Sequence, residues 1–260
     1  MPIITLTTDF GLTDHFAGVM KGVIFGICPD ARIVDITHEC RSYDVSEAAF
    51  TIAQAYRYFP PKTVHVVVVD PGVGTERRAI LVQVAGQFFV GPDNGVFAFI
   101  LSEPKQKVRE ITNKKYFRQP VSQTFHGRDV FAPVAAHLAK GVSTARMGKP
   151  IENYLRPRSL MPERTARRGW TGLVLKVDRF GNLITNFLAA EFPRALQGPF
   201  EMAVGLRQVN RLDCNYEQFG PGEVFVIVGS SGYLEVSAGQ ASAAKILGVA
   251  AGAPVELTIF

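Results

Sequence analysis

Val64-His65-Val66-Val67-Val68-Val69-Asp70-Pro71-Gly72-Val73-Gly74-Thr75-Glu76-Arg77-Arg78 runs from a block of valines into a Pro-Gly turn and a pair of arginines. A continuous apolar run reads as a strand buried on both faces, and Asp-Pro-Gly ends it abruptly. A carboxylate and two guanidiniums therefore sit where the backbone leaves a sheet. In open α/β sheets the crevice beyond the carboxyl ends of the strands is where ligands bind, so Asp70 and Arg77 are site candidates on position alone. The competing reading of the same charges is a surface salt bridge on a tight turn.

Working outward supports the sheet. Upstream, Pro2 to Thr8 has the content of a strand, closed by Asp9-Phe10-Gly11. Between Asp14 and Cys28, Phe16, Val19, Met20, Val23, Ile24 and Ile27 recur at helical spacing until Pro29. Arg32 to Thr37 reads as a second strand, and Asp44 with Glu47 has the form of a capping box before a helix running to about Phe59. Strand, helix, strand, helix, strand predicts right-handed crossovers and an α/β domain with a mostly parallel sheet. Downstream, Ala79–Val84 and Gln87–Val90 read as an added hairpin, and Gly91-Pro92-Asp93-Asn94-Gly95 as a turn before a short helix over Val96–Leu101. Residues 103–122 read as irregular. Val130, Phe131, Val134, Ala135 and Leu138 mark a further helix, which puts His126 just before its N-terminus.

The Pro- and Arg-rich stretch Asn153–Arg168 is the best boundary in the chain. The expected organisation is an α/β domain over 1–155, a linker over 156–169, and a smaller all-β, barrel-like domain over 170–260. The second domain is read from strand-like runs at Thr171–Val177, Leu183–Phe187, Phe200–Val204, Gln208–Leu212, Val224–Val228, Tyr233–Val236 and Val255–Ile259, with a short helix around Ala241–Leu247.

Composition narrows the function classes. The chain has 260 residues, 47% hydrophobic and 20% charged, and no apolar run approaches the roughly 18 residues of a membrane span. The N-terminus has no basic region before an apolar block, so no signal peptide is expected and the expected location is cytoplasmic. Cys28, Cys40 and Cys214 show no CxxC spacing, which argues against a disulfide framework or a thiolate zinc site. A net charge of +5 raises nucleic acid as a partner. The basic residues, however, concentrate in connecting segments such as Lys114-Lys115-Tyr116-Phe117-Arg118 and Arg164-Thr165-Ala166-Arg167-Arg168, so a solvated linker is preferred. Pro71–Thr75 fails as a dinucleotide fingerprint because Arg77 stands where a small residue is needed, and fails as a P-loop for want of Gly-Lys-Ser/Thr. Asp9, Asp14, His15, Asp35 and His38 could be gathered around a metal, but no ligand spacing supports it, and no metal is expected.

Thr8-Asp9-Phe10-Gly11, Val69-Asp70-Pro71-Gly72-Val73-Gly74-Thr75, Gly91-Pro92-Asp93-Asn94-Gly95, Thr124-Phe125-His126-Gly127-Arg128-Asp129 and Phe180-Gly181-Asn182 occur here in one order. In these motifs the chain resembles the S-adenosyl-L-methionine hydroxide adenosyltransferase family, relatives of the fluorinase and chlorinase. The resemblance spans both expected domains. It implies hydrolysis of S-adenosyl-L-methionine to adenosine and L-methionine, with no cofactor, by a homotrimer whose sites lie between subunits. It further implies that Asp70, Arg77 and His126 activate water, that Asp9 holds the ribose hydroxyls, and that Asp178 and Ser230 hold the methionine end. Asn182 matches an adenine contact, Phe180 a stacking surface for adenine, and Tyr43 an aromatic residue against the substrate.

The residue types suit that chemistry. The sulfonium departs from C5′ as a neutral thioether, so only the nucleophile needs help. Asp70 stands where the fluorinase has a tyrosine, and Gly127 where it has a halide-contacting serine; an ionised carboxylate there would repel a halide. Ser231 stands where the fluorinase has an arginine. The alternatives are a chloride-using halogenase and a non-catalytic sensor of S-adenosylmethionine or adenosine.

Overall fold

The computed structural model describes residues 1–157 and 160–260. The chain divides into two units, Met1–Pro157 and Arg158–Phe260. The first holds β1 (Ile3–Thr8), α1 (Phe16–Ile27), β2 (Arg32–Thr37), α2 (Val45–Ala55), β3 (Val64–Val68), β4 (Ala79–Val84), β5 (Gln87–Pro92), β6 (Lys107–Glu110) and α3 (Ala132–Ala139). Its six-stranded mixed sheet has the order β2-β1-β3-β5-β4-β6. Strands β2, β1, β3 and β5 pair in parallel, and β4 runs antiparallel to both β5 and β6.

The valine run is buried on both faces. Val64, Val66 and Val68 pack with Met20 and Ile24 of α1 and Val134, Ala135 and Leu138 of α3. Val67 and Val69 pack on the other face with Ala48 and Ile52 of α2 and Phe89 of β5. Each fully buried side chain of this size contributes about 1.5–3 kcal/mol of transfer free energy, so the strand tolerates no polar residue without partners. Its one polar residue has them. His65 Nδ1 lies 2.7 Å from Thr5 Oγ1 on β1, and its Nε2 lies 2.7 Å from Gln87 Oε1 on β5, while Gln87 donates onward to the Phe59 carbonyl at 2.7 Å. The carboxamide oxygen can only accept, so Nε2 carries the proton and the threonine hydroxyl donates to Nδ1.

Four expectations need correction. Val96–Leu101 is not a helix. Asn94 accepts from Val96 N at 3.1 Å, Ala98 N donates to Gly95 O at 2.9 Å, and a single 3-10 turn follows at Ile100–Ser102. Residues 103–122 contain β6, an edge strand whose Lys-Val-Arg-Glu sequence has too little apolar content to read as one. The Asp44 cap does accept from Glu47 N at 2.9 Å, but the Glu47 carboxylate turns back to Arg41 N at 3.1 Å, so the reciprocal half of the box is missing. The expected linker 156–169 includes Arg158 and Ser159, which lie outside the described residues; its later part carries a strand paired with the next unit's sheet.

That second unit holds β7 (Glu163–Arg164), β8 (Gly169–Val177), β9 (Leu183–Leu188), α4 (Pro193–Gln197), β10 (Phe200–Val204), β11 (Arg207–Val209), β12 (Leu212–Asp213), β13 (Val224–Val228), β14 (Tyr233–Ala238), α5 (Ala243–Leu247) and β15 (Pro254–Ile259). The sheet follows β11-β10-β15-β8-β9-β14-β13-β12, with β7 on β8. It too is mixed, β12 and β13 pairing in parallel. Strand Gln208–Leu212 of the sequence reading is really two strands, which end up at opposite ends of the sheet path. Helix α4 was not expected, so this unit is not purely β.

His65 yields a stability prediction. Burial pushes its pKa down to about 4 from an ordinary 6.5. The unfolded chain therefore binds a proton that the native chain refuses, so stability from this residue is complete above pH 6.5 and lost as pH falls towards 4. The loss is about 3 kcal/mol at 1.36 kcal/mol per unit. Thermal unfolding scanned from pH 7 to 4 should show this slope, and His65→Gln should flatten it.

Candidate active site

Parallel β1 and β3 end at the same level, Thr8 opposite Val68, so Asp9 and Asp70 leave neighbouring strands side by side in the sheet order. Asn94 holds the end of β3 by donating to Val69 O at 2.9 Å. Next to it Asp93 accepts from Arg78 Nη2 at 2.6 Å and from Leu155 N at 2.9 Å. Gly91, Asp93 and Asn94 of the turn motif thus brace the strand end on which Asp70 is mounted. A Cβ on Gly91 would fall 2.5 Å from Val67 O.

Asp70, Arg77 and His126 converge. Arg77 Nε lies 3.0 and 2.9 Å from the two Asp70 oxygens, Nη2 lies 2.5 Å from Oδ2, and the same Nη2 lies 2.7 Å from His126 Nδ1. The side chains of Asp70 and Arg77 are only 4% and 10% exposed. This is a buried, hydrogen-bonded pair and not the surface salt bridge the turn alone allowed. Arg77 also lies over the Phe131 ring at 5.3 Å, which leaves the guanidinium few ways to rotate.

What joins turn 70–77 to His126, 49 residues on, is a backbone contact. Gly74 has φ +79°, and a Cβ there would lie 2.3 Å from Gln123 O. Beyond Gln123, Asp129 is fully buried and gathers its own loop: it accepts from Arg128 Nε at 2.7 Å, Arg128 Nη2 at 2.8 Å and Ser122 N at 2.8 Å. Burial pushes the Asp129 carboxyl up, but these bonds and Arg118 hold it below its ordinary value. The chain then enters α3 through one wide turn in which Ala132 N reaches Gly127 O, and His126 caps that turn as expected. Asp129, Asn94 and Gly74 were not singled out in the sequence; their place inside the quoted motifs was the available signal.

The electrostatics of His126 follow from this. Burial lowers its pKa first and the Arg77 charge lowers it further, against the opposing pull of Asp70 and Asp129. A guanidinium has only donors, so Nδ1 must present its lone pair and the proton of the neutral ring sits on Nε2.

Asp9 and Tyr43 also come together: Tyr43 N donates to Asp9 Oδ2 at 2.9 Å. Tyr43 holds a left-handed backbone, φ 68°, and its ring is 73% exposed. The loop bearing Asp9 is fixed by Phe10, whose ring meets Phe125 edge-on at 5.8 Å, beside His126. The second unit carries the other expected residues. Asp178 organises the turn after β8, its Oδ1 accepting from Phe180 N and Asn182 N at 2.9 Å and its Oδ2 from Asn182 Nδ2 at 2.9 Å. Gly181, φ +87°, lets that turn close on Ser242, where a Cβ would lie 2.0 Å from Oγ. The turn holds Phe180 out at 79% exposure. Ser230 is exposed on the turn between β13 and β14. Among the described residues no group of three His, Cys, Asp or Glu side chains is arranged to hold a metal ion.

A two-domain α/β protein with a carboxylate, guanidinium and imidazole joined at the strand ends is the class these features define. The chain belongs to the S-adenosyl-L-methionine hydroxide adenosyltransferase family: the models of the family's N-terminal and C-terminal domains match residues 4–148 and 172–256. It is 39% identical to the (R)-S-adenosyl-L-methionine hydrolase of Salinispora tropica, covering 99% of this chain and 98% of that one. It is 26% identical to the fluorinase of Nocardia brasiliensis, covering 99% and 97%. A crystal structure of an uncharacterized conserved protein from Thermotoga maritima, 37% identical, matches with a TM-score of 0.89 over 98% of this chain and 99% of that one.

Gly74→Ala tests the backbone contact. A left-handed alanine costs about 1–2 kcal/mol before any clash, and the Gln123 carbonyl must also move. The expected result is a lower melting temperature together with a loss of activity greater than the loss of folded protein, measured by circular dichroism and turnover on the same sample.

Proposed function

We propose that this protein hydrolyses S-adenosyl-L-methionine to adenosine and L-methionine, water attacking C5′ in line with the departing thioether. Full-length similarity to (R)-S-adenosyl-L-methionine hydrolases supports the reaction. The observation that carries the mechanism is the Arg77 Nη2 contact to both Asp70 and His126. Because Nδ1 is committed to Arg77, His126 does not take the water's proton there; it offers Nε2–H to the nucleophile oxygen. Asp70 is then the acceptor. Its Oδ2 takes two bonds from Arg77 and its Oδ1 one, so Oδ1 is the oxygen left to orient the water and receive its proton. Arg77 holds the carboxylate still.

Asp9 would hold the ribose hydroxyls, with Tyr43 against the substrate, and Asp178 and Ser230 would hold the methionine end. Phe180, fixed outward on a tight turn, offers the adenine a face at low entropic cost, and Asn182 an amide contact. Gly127 favours water over halide: a Cβ there would lie 3.2 Å from Met20 Sδ and 3.3 Å from Phe125, so a serine would not fit without a shift. We carry into the same reading a mostly parallel first sheet, a barrel-like second domain, a cofactor-free cytoplasmic enzyme, and a homotrimer with sites between subunits. Light scattering should return three times the chain mass; a monomer at working concentration would reject that arrangement.

The reaction is tested with S-adenosylmethionine in oxygen-18 water, with and without chloride. Adenosine and methionine should form in equal amounts, with the label in the 5′-hydroxyl, and Asp70→Asn should lower kcat by about 100-fold or more. No adenosine at stoichiometric protein, or chloroadenosine in its place, would overturn the proposal. The pH profile has a defined sign. The active ring is neutral and its pKa is lowered, so activity should persist below the ordinary histidine range and fall only at more acid pH.

A further inference from the structure

Glu235 lies at the centre of β14, paired between Ile227 of β13 and Ile184 of β9. Leu234 and Val236 point into the core of the second unit. Glu235 and Ser237 therefore face the opposite side, where the alternation of a strand puts them together. Glu235 is 6% exposed and Ser237 fully buried. Tyr216, whose ring packs on Phe225 at 5.9 Å, lies beside both. A Cβ on Gly229 would fall 1.7 Å from Glu235 Oε1, so the carboxyl is tucked directly against the turn that bears Ser230. Asp178 is near enough that the two charges act on each other, and with burial this raises the Glu235 pKa.

Charged groups this deep are retained with partners or shift towards neutrality. No cation is among the groups that act on the Glu235 carboxyl; Ser231 lies against it, Ser237 against Tyr216, and Asp178 accepts three bonds within its own turn. A buried carboxylate with one hydroxyl against it and a second carboxylate close by has acceptor capacity to spare, and a ligand group that fills it carries positive charge and several N–H donors.

We infer that Glu235 is a specificity-determining residue that joins Asp178 in seating the α-ammonium group of the substrate's amino-acid end. The inference rests on S-adenosylmethionine being the substrate. A primary ammonium has three donors in a pyramid, and a carboxylate on each side with a hydroxyl between them satisfies all three. It also explains why a buried carboxylate is tolerated near a second, half-buried one: the ligand supplies the countercharge, and binding relieves a repulsion built into the free protein.

The experiment compares wild-type protein with Glu235→Gln on S-adenosylmethionine and on 5′-deoxy-5′-(dimethylsulfonio)adenosine, a sulfonium without the amino acid. Glu235→Gln should raise KM for S-adenosylmethionine by about tenfold or more, the worth of a charged hydrogen bond. It should leave kcat nearly unchanged and leave the truncated sulfonium unaffected. Because the substitution removes one of two like charges, the melting temperature of the ligand-free variant should be equal or higher. An equal loss on both sulfoniums, an unchanged KM, or a lower melting temperature would overturn the inference in favour of a structural carboxyl. If wild-type protein turns over neither sulfonium, the reaction fails and calorimetry decides the ammonium seat. L-methionine should then bind wild-type protein more tightly than Glu235→Gln, while 4-(methylthio)butanoate, which lacks the amine, should not distinguish them; equal binding of L-methionine would reject the seat.

Discussion

Arginine can donate hydrogen bonds but never accept them, and the site is built on that asymmetry. One guanidinium is shared between Asp70 and His126, so the Asp70 oxygens accept from it and the imidazole must present a lone pair at Nδ1. The placement of a carboxylate and the tautomer of an imidazole are fixed by a single buried side chain. Burial strengthens the effect, because water cannot substitute for any member of the set when Asp70 is 4% exposed.

Arg77 meets His126 where the backbone of its turn touches the Gln123 carbonyl at Gly74. The second unit has close approaches of its own at glycines, there against side chains: Gly181 against the Ser242 hydroxyl and Gly229 against the Glu235 carboxyl. A β-carbon at any of the three would stand within 2.3 Å of its neighbour. The chemistry-bearing residues beside them could be exchanged for others without unmaking the fold; the glycines set where those residues are. The same logic applies to Asn94 and Asp129, which reach substrate in no reading and yet hold the strand end and the loop on which Asp70 and His126 depend.

The parallel core was legible because its signals are local and strong: an all-apolar run for a strand covered on both faces, a 3.6-residue period for α1, proline at the stops. Lys107–Glu110 was not, because an edge strand bonded on one side needs little apolar content and offers no period. The helix expected at Val96–Leu101 is reduced to turns that end in a 3-10 turn at Ile100–Ser102, although Asn94 caps its start by accepting from Val96 N. At the site, Asp70 and Arg77 could be suspected from position, but their link to His126 spans 49 residues and depends on a backbone contact that no periodicity reports. Only the joint presence of the motifs, through the family resemblance, suggested it. Glu235 stayed hidden because a carboxylate in a strand looks like an outward-facing residue until the covering loop with Tyr216 is placed over it.

The packing around Gly127 has a consequence for how this scaffold diversifies. Met20, fully buried on α1, lies beside residue 127, so a hydroxymethyl group added there would press on the Met20 side chain and the Phe125 ring, which must give by a few tenths of an ångström. Positions 127 and 20 are coupled: how readily residue 127 can grow depends on how far the helix side chain gives. A smaller residue on α1 would ease a serine at position 127, so the effect of one substitution depends on the other through a packing contact outside the Asp70, Arg77 and His126 set.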